Sequence, residues 1–424
     1  MRVLLVTDFY HPYIGGVELH VRTLARALAD RGHEVAVATL PVADGQERTA
    51  DGPVTVYTVG HLAQRIGARF AHVERPWAPP FPDPVTTVGL RRVVRDFRPD
   101  VIHGHDWLAR SALPRAVSGT VPVITSLHYY TRNCAKKTLW RDGTVCEGPA
   151  FRRCLSCAAD HYGTARGVAV TLGVRAGQWF EDRRTSRWIS VSAATEAGNG
   201  LVGAPHSSVI VNPVPSNPDR VAGPTDEAAS SAPLPEAVPD GPFILFVGDI
   251  RPEKGVAVLA DAVTMLRGRG VDVPLVLAGE TMSGDVTFPS GTVQLGPVPN
   301  PVVKRLWATA TVGVVPSLWP EPFGLVAIEA IEGGCPLVAA DHGGLAEILA
   351  DGRGTLVPPG DAARLADGVA ALLADEDARA TQARLATASL DRYRVDVVVD
   401  QIEAEYRQAL GPVPSGSAVA GVGR

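Results

Sequence analysis

The sequence predicts an α/β protein made of two doubly wound parallel-sheet domains in tandem, with a cleft between them. Three observations carry this. Short runs rich in valine and isoleucine alternate with stretches of helical spacing along most of the chain, the pattern of buried parallel strands joined by crossover helices. The alternation is interrupted once, by a Pro-, Ala- and Ser-rich stretch over residues 212–242, and then begins again. The length of 424 residues is too great for one ordinary core and suits two.

The elements follow in order. Val3 to Val6 is an apolar run, followed by a polar, aromatic and glycine-containing loop from Phe9 to Gly16. Val17, Val21, Leu24, Ala25 and Leu28 recur at the helical spacing of three and four, and Gly32 ends that helix. Glu34 to Leu40 returns as a strand, which completes a βαβ unit. Further strands are expected at Val54–Val59, Val101–Gly104, Val121–Leu127, Trp188–Val191 and Val209–Val211. The second series places strands at Phe243–Val247, Leu275–Ala278, Val293–Leu295, Val312–Val315, Leu337–Ala340 and Thr355–Val357. Helices are expected around Leu365–Leu373 and over Val395–Leu410. The domain reading is therefore 1–211, a linker 212–242, and 243–390. A last helix over 391–410 can cross back to the first domain, and a Gly-, Ser- and Ala-rich tail over 411–424 is expected to be disordered.

Composition excludes some classes. A net charge of -5 argues against a general nucleic-acid binder, which carries a basic excess. No apolar run reaches the length of a membrane span, and the run before Asp8 is too short for a signal peptide. The expected compartment is the cytoplasm. Leu62 to Arg75 carries Arg65, Arg69 and Arg75 on a weakly basic amphipathic stretch. That admits a peripheral membrane contact, although a short stretch broken by Gly67 fits an ordinary surface helix better.

The strongest chemical signal is Glu321-Pro-Phe-Gly-Leu-Val-Ala-Ile-Glu329, placed after a strand and the turn Pro316-Ser317. Pro322 and Gly324 mark a turn that becomes a helix near Leu325. Free N–H groups of Phe323, Gly324 and Leu325 at that helix start, with the helix dipole, make an anion site. Glu321 can accept bonds from hydroxyls, and Glu329, one to two turns on, can hold a ribose diol. This segment resembles the Glu-x7-Glu signature of retaining glycosyltransferases of family 4, whose fold is GT-B with two Rossmann-like domains. Other features of that family follow in order along nearly the whole chain: Gly15-Gly16, His128, Gly248 to Gly255, Pro316-Ser317, and Gly343-Gly344-Leu345-Ala346-Glu347.

The resemblance implies a transfer of a hexosyl group from a nucleotide-diphosphate sugar, such as a UDP- or GDP-sugar, to a hydroxyl acceptor. The nucleotide sugar is a co-substrate rather than a cofactor. Lys254 matches the family's phosphate-binding lysine. The family's usual arginine position is occupied by Asp249, and Arg251, two places on, is the candidate for the missing charge. Gly15 and Gly16 are expected to face the donor diphosphate from the first domain. His128 falls near the donor sugar and the reacting centre, and His105 and Asp106 at the adjacent strand end are assigned to the acceptor site. Retention in the family is attributed to same-face attack, with the leaving phosphate taking the acceptor proton. No catalytic metal is expected, and Asp375-Glu376-Asp377 is read as a helix cap. Base recognition near Gly296 to Val298 would rely on backbone groups. The acceptor is a small molecule or a lipid-linked group: a glycolipid, a polysaccharide or a secondary metabolite. Two other classes fit the same scaffold: a nucleotide-sugar epimerase or hydrolase, and a non-catalytic sugar-nucleotide binder. The oligomeric state is not legible.

Four cysteines form a separate cluster. Cys134, Cys146, Cys154 and Cys157 lie within one insertion over 129–162, the last two as Cys-Leu-Ser-Cys, a close-ligand spacing for zinc. A structural Zn²⁺ is preferred over two disulfides, four free thiols or an iron–sulfur cluster, with His161 as a spare ligand. Arg141-Asp142-Gly143 reads as a tight turn inside the insertion, and the segment Tyr129–Tyr162 is a candidate acceptor lid. Cys335 stands apart as a buried small hydrophobe.

Overall fold

The computed structural model describes residues 1–13, 15–41, 47–62, 78–214, 232–282 and 286–411. Most of the basic stretch within Leu62–Arg75, the middle of the 212–242 segment and the tail beyond residue 411 lie outside the described residues.

Among the described residues, two separate, mainly parallel sheets carry the fold. The first holds β1 (Arg2–Thr7), β2 (Glu34–Thr39), β3 (Arg48–Asp51), β4 (Val54–Thr58), β5 (Val101–His105) and β6 (Val123–Leu127). The hairpin β7 (Trp140–Arg141) and β8 (Thr144–Val145) stands outside it, and β9 (Thr185–Ser190) and β10 (Ser207–Val209) complete it. Its order is β10-β9-β6-β5-β1-β2-β4-β3. The second sheet holds β11 (Ile244–Val247), β12 (Leu275–Ala278), β13 (Val293–Gln294), β14 (Val312–Val315), β15 (Leu337–Ala340) and β16 (Thr355–Val357), in the order β13-β12-β11-β14-β15-β16. In both sheets the order reverses beside the first strand, and the crevice at such a switch point is where open α/β sheets bind ligands.

Burial explains why these runs are strands. β1 is buried at every residue after Arg2, and β12, β14 and β15 at all four of theirs, as parallel strands covered on both faces require. The helix Gly16–Asp30 turns Val17, Val21, Leu24 and Leu28 into the core, alongside Val3 and Leu5 of β1. Asp375 caps the helix Glu376–Thr387 by accepting from the N–H of Ala378.

Three features depart from the sequence reading. The first sheet is not wholly parallel, because β3 pairs antiparallel with β4 at the edge. Its residues Arg-Thr-Ala-Asp have no apolar pattern, and the strand is instead tied down through Asp51, which takes Arg22, Arg26 and the hydroxyl of Tyr10. The strand expected at Val121 begins at Val123, since Pro122 has no N–H for the ladder. The insertion after β6 is not a loop throughout. Asp142-Gly143 joins β7 to β8 with φ of 50° and 78°, the geometry of a type I′ hairpin turn. A helix then runs from Phe151 to Tyr162 and packs on the 21-residue helix Thr164–Arg184.

The two halves are closely joined. The helix Val395–Leu410 lies on the first sheet, with Val398, Val399, Ile402 and Tyr406 fully buried against Val3, Leu5 and Ile124. Arg31 and His33 pair with Glu403, and Arg187 and Ser208 with Glu405. No helix among the described residues is long and apolar enough to cross a membrane.

Candidate active site

The site is built at the carboxyl ends of β1, β6 and β14, where the two sheets face one another. One cavity is lined by Gly16, Val17, His128, Tyr129 and Asn212 from the first half, and by Lys254, Trp319, Glu321 and the run Pro322–Val326 from the second. Gly16 opens its helix in direct apposition to the other half: a Cβ there would stand 2.9 Å from Leu325 Cδ1. A side chain at this position would have to displace the Leu325 side chain.

The Glu321 turn is held from several sides. Glu321 Oε1 accepts from Lys254 Nζ at 2.6 Å, Ser317 Oγ at 2.8 Å and Trp319 Nε1 at 3.2 Å. Behind it, Gly343 adopts φ 61°, and a Cβ there would meet the Glu321 backbone at 2.5 Å, so glycine is required both by conformation and by space. Tyr130 donates to Pro320 O at 2.8 Å, and Ser192 and Thr195 both donate to Pro322 O. Glu347 accepts from the N–H groups of Ala193 and Ala194. These bonds cross from the first half to the second and fix the turn relative to both.

The helix Leu325–Glu332 starts at Gly324, in the left-handed region, with no side chain capping it. Its first N–H groups have no intrahelical acceptor and point out of the N-terminus, toward the cavity that Phe323, Gly324 and Leu325 line. A lysine beside an uncapped helix start is suited to an anion carrying more than one negative oxygen.

Beneath the first-half wall lie four buried histidines. His105 and His128 are hydrogen-bonded at 2.9 Å through Nδ1 and Nε2. His20 packs edge-on to His128 with ring centroids 4.6 Å apart. His103 bonds Ser126 at 2.7 Å and the Tyr406 hydroxyl at 2.8 Å. Burial penalises the charged form, which lowers His128 to about 4 and His103 to about 3, and holds His20 and His105 well below the ordinary histidine range. The cluster is therefore neutral, and His128 can donate or accept a hydrogen bond without bringing charge. Asp106 has φ 58°. Burial raises it to about 7 against the opposing charge of Lys137.

Not every expected residue meets this cavity. Gly15 precedes the first helix as its N-cap, next to the lining residue Gly16. Glu329 stands four residues into the second helix, beyond the lining residues. His105 sits behind His128, fully buried, rather than at an acceptor surface. Arg251 does not line the cavity: its guanidinium lies 3.4 Å from Asp249 and 3.8 Å from Glu253. The very residue that replaces the family arginine thus engages the nearby one. Trp319 and Asn212 were missed, and Tyr129 was named only as the start of the candidate lid. Trp319 could have been found, since it lies between Ser317 and Glu321 in the same motif, but Tyr129 and Asn212 follow strand-like runs with no local signal.

Comparison with known proteins fits this geometry. Residues 14–215 match the family described as Glycosyltransferase Family 4, and residues 235–388 match Glycosyl transferases group 1. The D-inositol 3-phosphate glycosyltransferase of Acidothermus cellulolyticus is 30% identical over 423 residues, covering 93% of this chain and 86% of that one. The glycogen synthase of Mycobacterium tuberculosis (strain H37Rv) is 29% identical over 411 residues, covering 91% and 89%. Among solved structures, sucrose-phosphate synthase from Thermosynechococcus elongatus superposes with a TM-score of 0.67 at 19% identity, covering 96% and 98% of the two chains. Anabaena HepE in complex with UDP-glucose gives 0.59 at 20%, covering 95% and 98%. Both share the fold.

Proposed function

The chain belongs to glycosyltransferase family 4, a GT-B enzyme that uses a nucleotide sugar, and from that premise we propose a retaining hexosyltransferase whose donor diphosphate lies between Gly16 and the helix start at Phe323–Leu325. The observation that carries this reading is the convergence of Lys254, an uncapped helix N-terminus and His128 on one cavity between the halves.

The chemistry follows from where charge develops. As the bond from the sugar's anomeric carbon to the phosphate oxygen breaks, negative charge gathers on the departing diphosphate. Lys254 Nζ and the N–H groups of the helix start are donors aimed at that charge. A bound diphosphate competes with Glu321 for the Lys254 ammonium. Glu321 stays oriented by Ser317 and Trp319 and accepts from sugar hydroxyls. Glu329 is assigned the ribose diol, and neutral His128 a sugar hydroxyl on the opposite wall.

Retention by double displacement would need a free carboxylate at the anomeric carbon. The one carboxylate lining the cavity among the described residues is Glu321, engaged three times through a single oxygen. The reading is the same-face attack that the family resemblance implies, with Glu321 kept as a binding group by Lys254, Ser317 and Trp319. The acceptor oxygen bonds to the anomeric carbon as the phosphate leaves, and the acceptor proton passes to the phosphate oxygen. No catalytic ion enters this scheme.

UDP is the first nucleotide to test, because HepE is solved with UDP-glucose. Relatives are named for glycogen, inositol 3-phosphate and phosphatidyl-myo-inositol, so polyol, glycan and lipid-linked hydroxyls form the acceptor panel. The test is turnover of UDP- and GDP-hexoses with and without these acceptors, with the product anomer read by NMR. An α-linked product from an α-linked donor supports the reading, and a β-linked product contradicts it. Nucleotide release at one rate with or without acceptor would favour a hydrolase or epimerase.

A further inference from the structure

The four clustered cysteines take no part in the donor cleft, yet they are brought together. Cys134, Cys146, Cys154 and Cys157 line a cavity of about 30 Å³, room for one water-sized or ion-sized occupant and not for a substrate. They reach it from three local structures: the turn after Tyr130, the residue following β8, and successive turns of the helix Phe151–Tyr162. All four thiols are free of disulfides. Three residues apart on a helix, Cys154 and Cys157 share one face.

The turn at Cys134 is held in an uncommon backbone conformation. Lys137 N donates to Cys134 O at 3.1 Å, and Cys146 N donates to Leu139 O at 2.7 Å, so the backbone of this turn ties the first two cysteines together. That conformation puts Lys137 at φ 65° and Leu139 at φ 49°, a left-handed backbone that costs a residue with a side chain roughly 1–2 kcal/mol. Lys136, Arg141 and Arg153 also line the cavity and supply positive charge around it.

We propose that Cys134, Cys146, Cys154 and Cys157 bind one structural zinc ion as a closed tetrathiolate site. Binding takes Zn²⁺ and four thiols to a Zn(S-Cys)₄ centre of charge −2 with release of four protons. Among the described residues, the group of three or more ligand atoms within 4.8 Å of one another is His20, His105 and His128. No three of the four sulfurs lie within 4.8 Å of one another, so Zn–S bonds of about 2.3 Å require them to close in on the ion.

The ion's position gives it a consequence for the cleft. Cys134 N donates to Tyr130 O at 2.9 Å, and Tyr130 N donates to Lys137 O at 3.2 Å. The same Tyr130 donates its hydroxyl to Pro320 O, next to Glu321. The metal therefore fixes the turn that carries a bond across the cleft, and this assignment does not depend on which sugar is transferred.

The test uses the full chain purified without chelator or nickel resin. Metal analysis is expected to give about one zinc per chain, released to a chromophoric chelator only when a mercurial blocks the thiols. Replacement by Co²⁺ is expected to give intense sulfur-to-cobalt charge-transfer absorption, and Cys154→Ser with Cys157→Ser to lose the ion. Because that double variant can fail to fold, the wild-type release and the cobalt spectrum decide. Zinc-free wild type with two disulfides or four reactive thiols overturns the proposal. So does bound iron, or a cobalt spectrum without the sulfur band, which would place the ion at the histidines.

Discussion

At the scale of single residues, the account rests on Lys254 and the neutral histidines. Removing one donor aimed at developing charge typically costs about 10²–10³ in turnover. Lys254→Ala is expected to lose at least that, while Arg251→Ala, whose guanidinium engages Asp249 and Glu253, should stay within about threefold; steady-state kinetics on both variants reads the contrast. The histidines carry a pH signature. Unfolded, they bind protons near pH 6.5, and folded they resist until about 4 for His128 and about 3 for His103. Between those limits the unfolded chain holds more protons, so this stabilising contribution is complete above about pH 6.5 and is lost as pH falls. Asp106 works with the opposite sign: raised to about 7, it lowers stability as pH rises from about 4 to 7. Denaturant unfolding across pH 4–8 should show His128→Gln with a shallower acid loss than wild type, and Asp106→Asn with a steeper one. Parallel profiles for all three proteins would refute the buried-charge assignment. The Lys254 and Glu321 positions were legible because the motif surrounds them with strand, turn and helix signals. The role given to Arg251 was not, because one ion pair with a neighbour decides where a side chain turns.

At the scale of elements, legibility followed burial. Leu275–Ala278, Val312–Val315 and Leu337–Ala340 were readable to the residue, since each is a short, fully buried run without polar side chains between turns. The edge strand Arg48–Asp51 and the helix Phe151–Tyr162 were not. The first is held by charges from another element and carries no apolar period, and the second was read as a cysteine-bearing loop although Phe151, Cys154, Leu155, Ala158 and Tyr162 recur at helical spacing. A buried ion pair anchors the helix Thr164–Arg184, on which the insertion packs. Arg110 Nε donates to Glu181 Oε1 at 2.7 Å, and its other nitrogens reach the carbonyls of Pro80 and Thr131. With both side chains at 3% exposure or less, losing one partner leaves the other charge buried. Glu181→Ala should therefore cost about 3–5 kcal/mol, measurable by urea unfolding. A loss under about 1 kcal/mol would mean that the pair is solvated.

At the scale of the molecule, the two sheets and the cleft were foreseeable from two strand–helix series and a break in composition. The fastening between them was not. Tyr406, near the end of the described chain, bonds His103 in the first sheet, and Pro320 and Pro322 in the second half take hydroxyls from Tyr130, Ser192 and Thr195 in the first. Such pairs, separated by more than a hundred residues, leave no mark in a local pattern. They make the cleft a joint feature of both halves, so a ligand spanning it should stabilise the whole chain and not one sheet alone.

The most direct measurement is a thermal-shift screen of UDP, GDP, ADP and TDP, with their common sugars, on wild type and Lys254→Ala. The account predicts a clear rise in Tm with one nucleotide class, largely abolished in the variant. No rise with any nucleotide, or a rise that Lys254→Ala leaves intact, would contradict the placement of the donor diphosphate in this cleft.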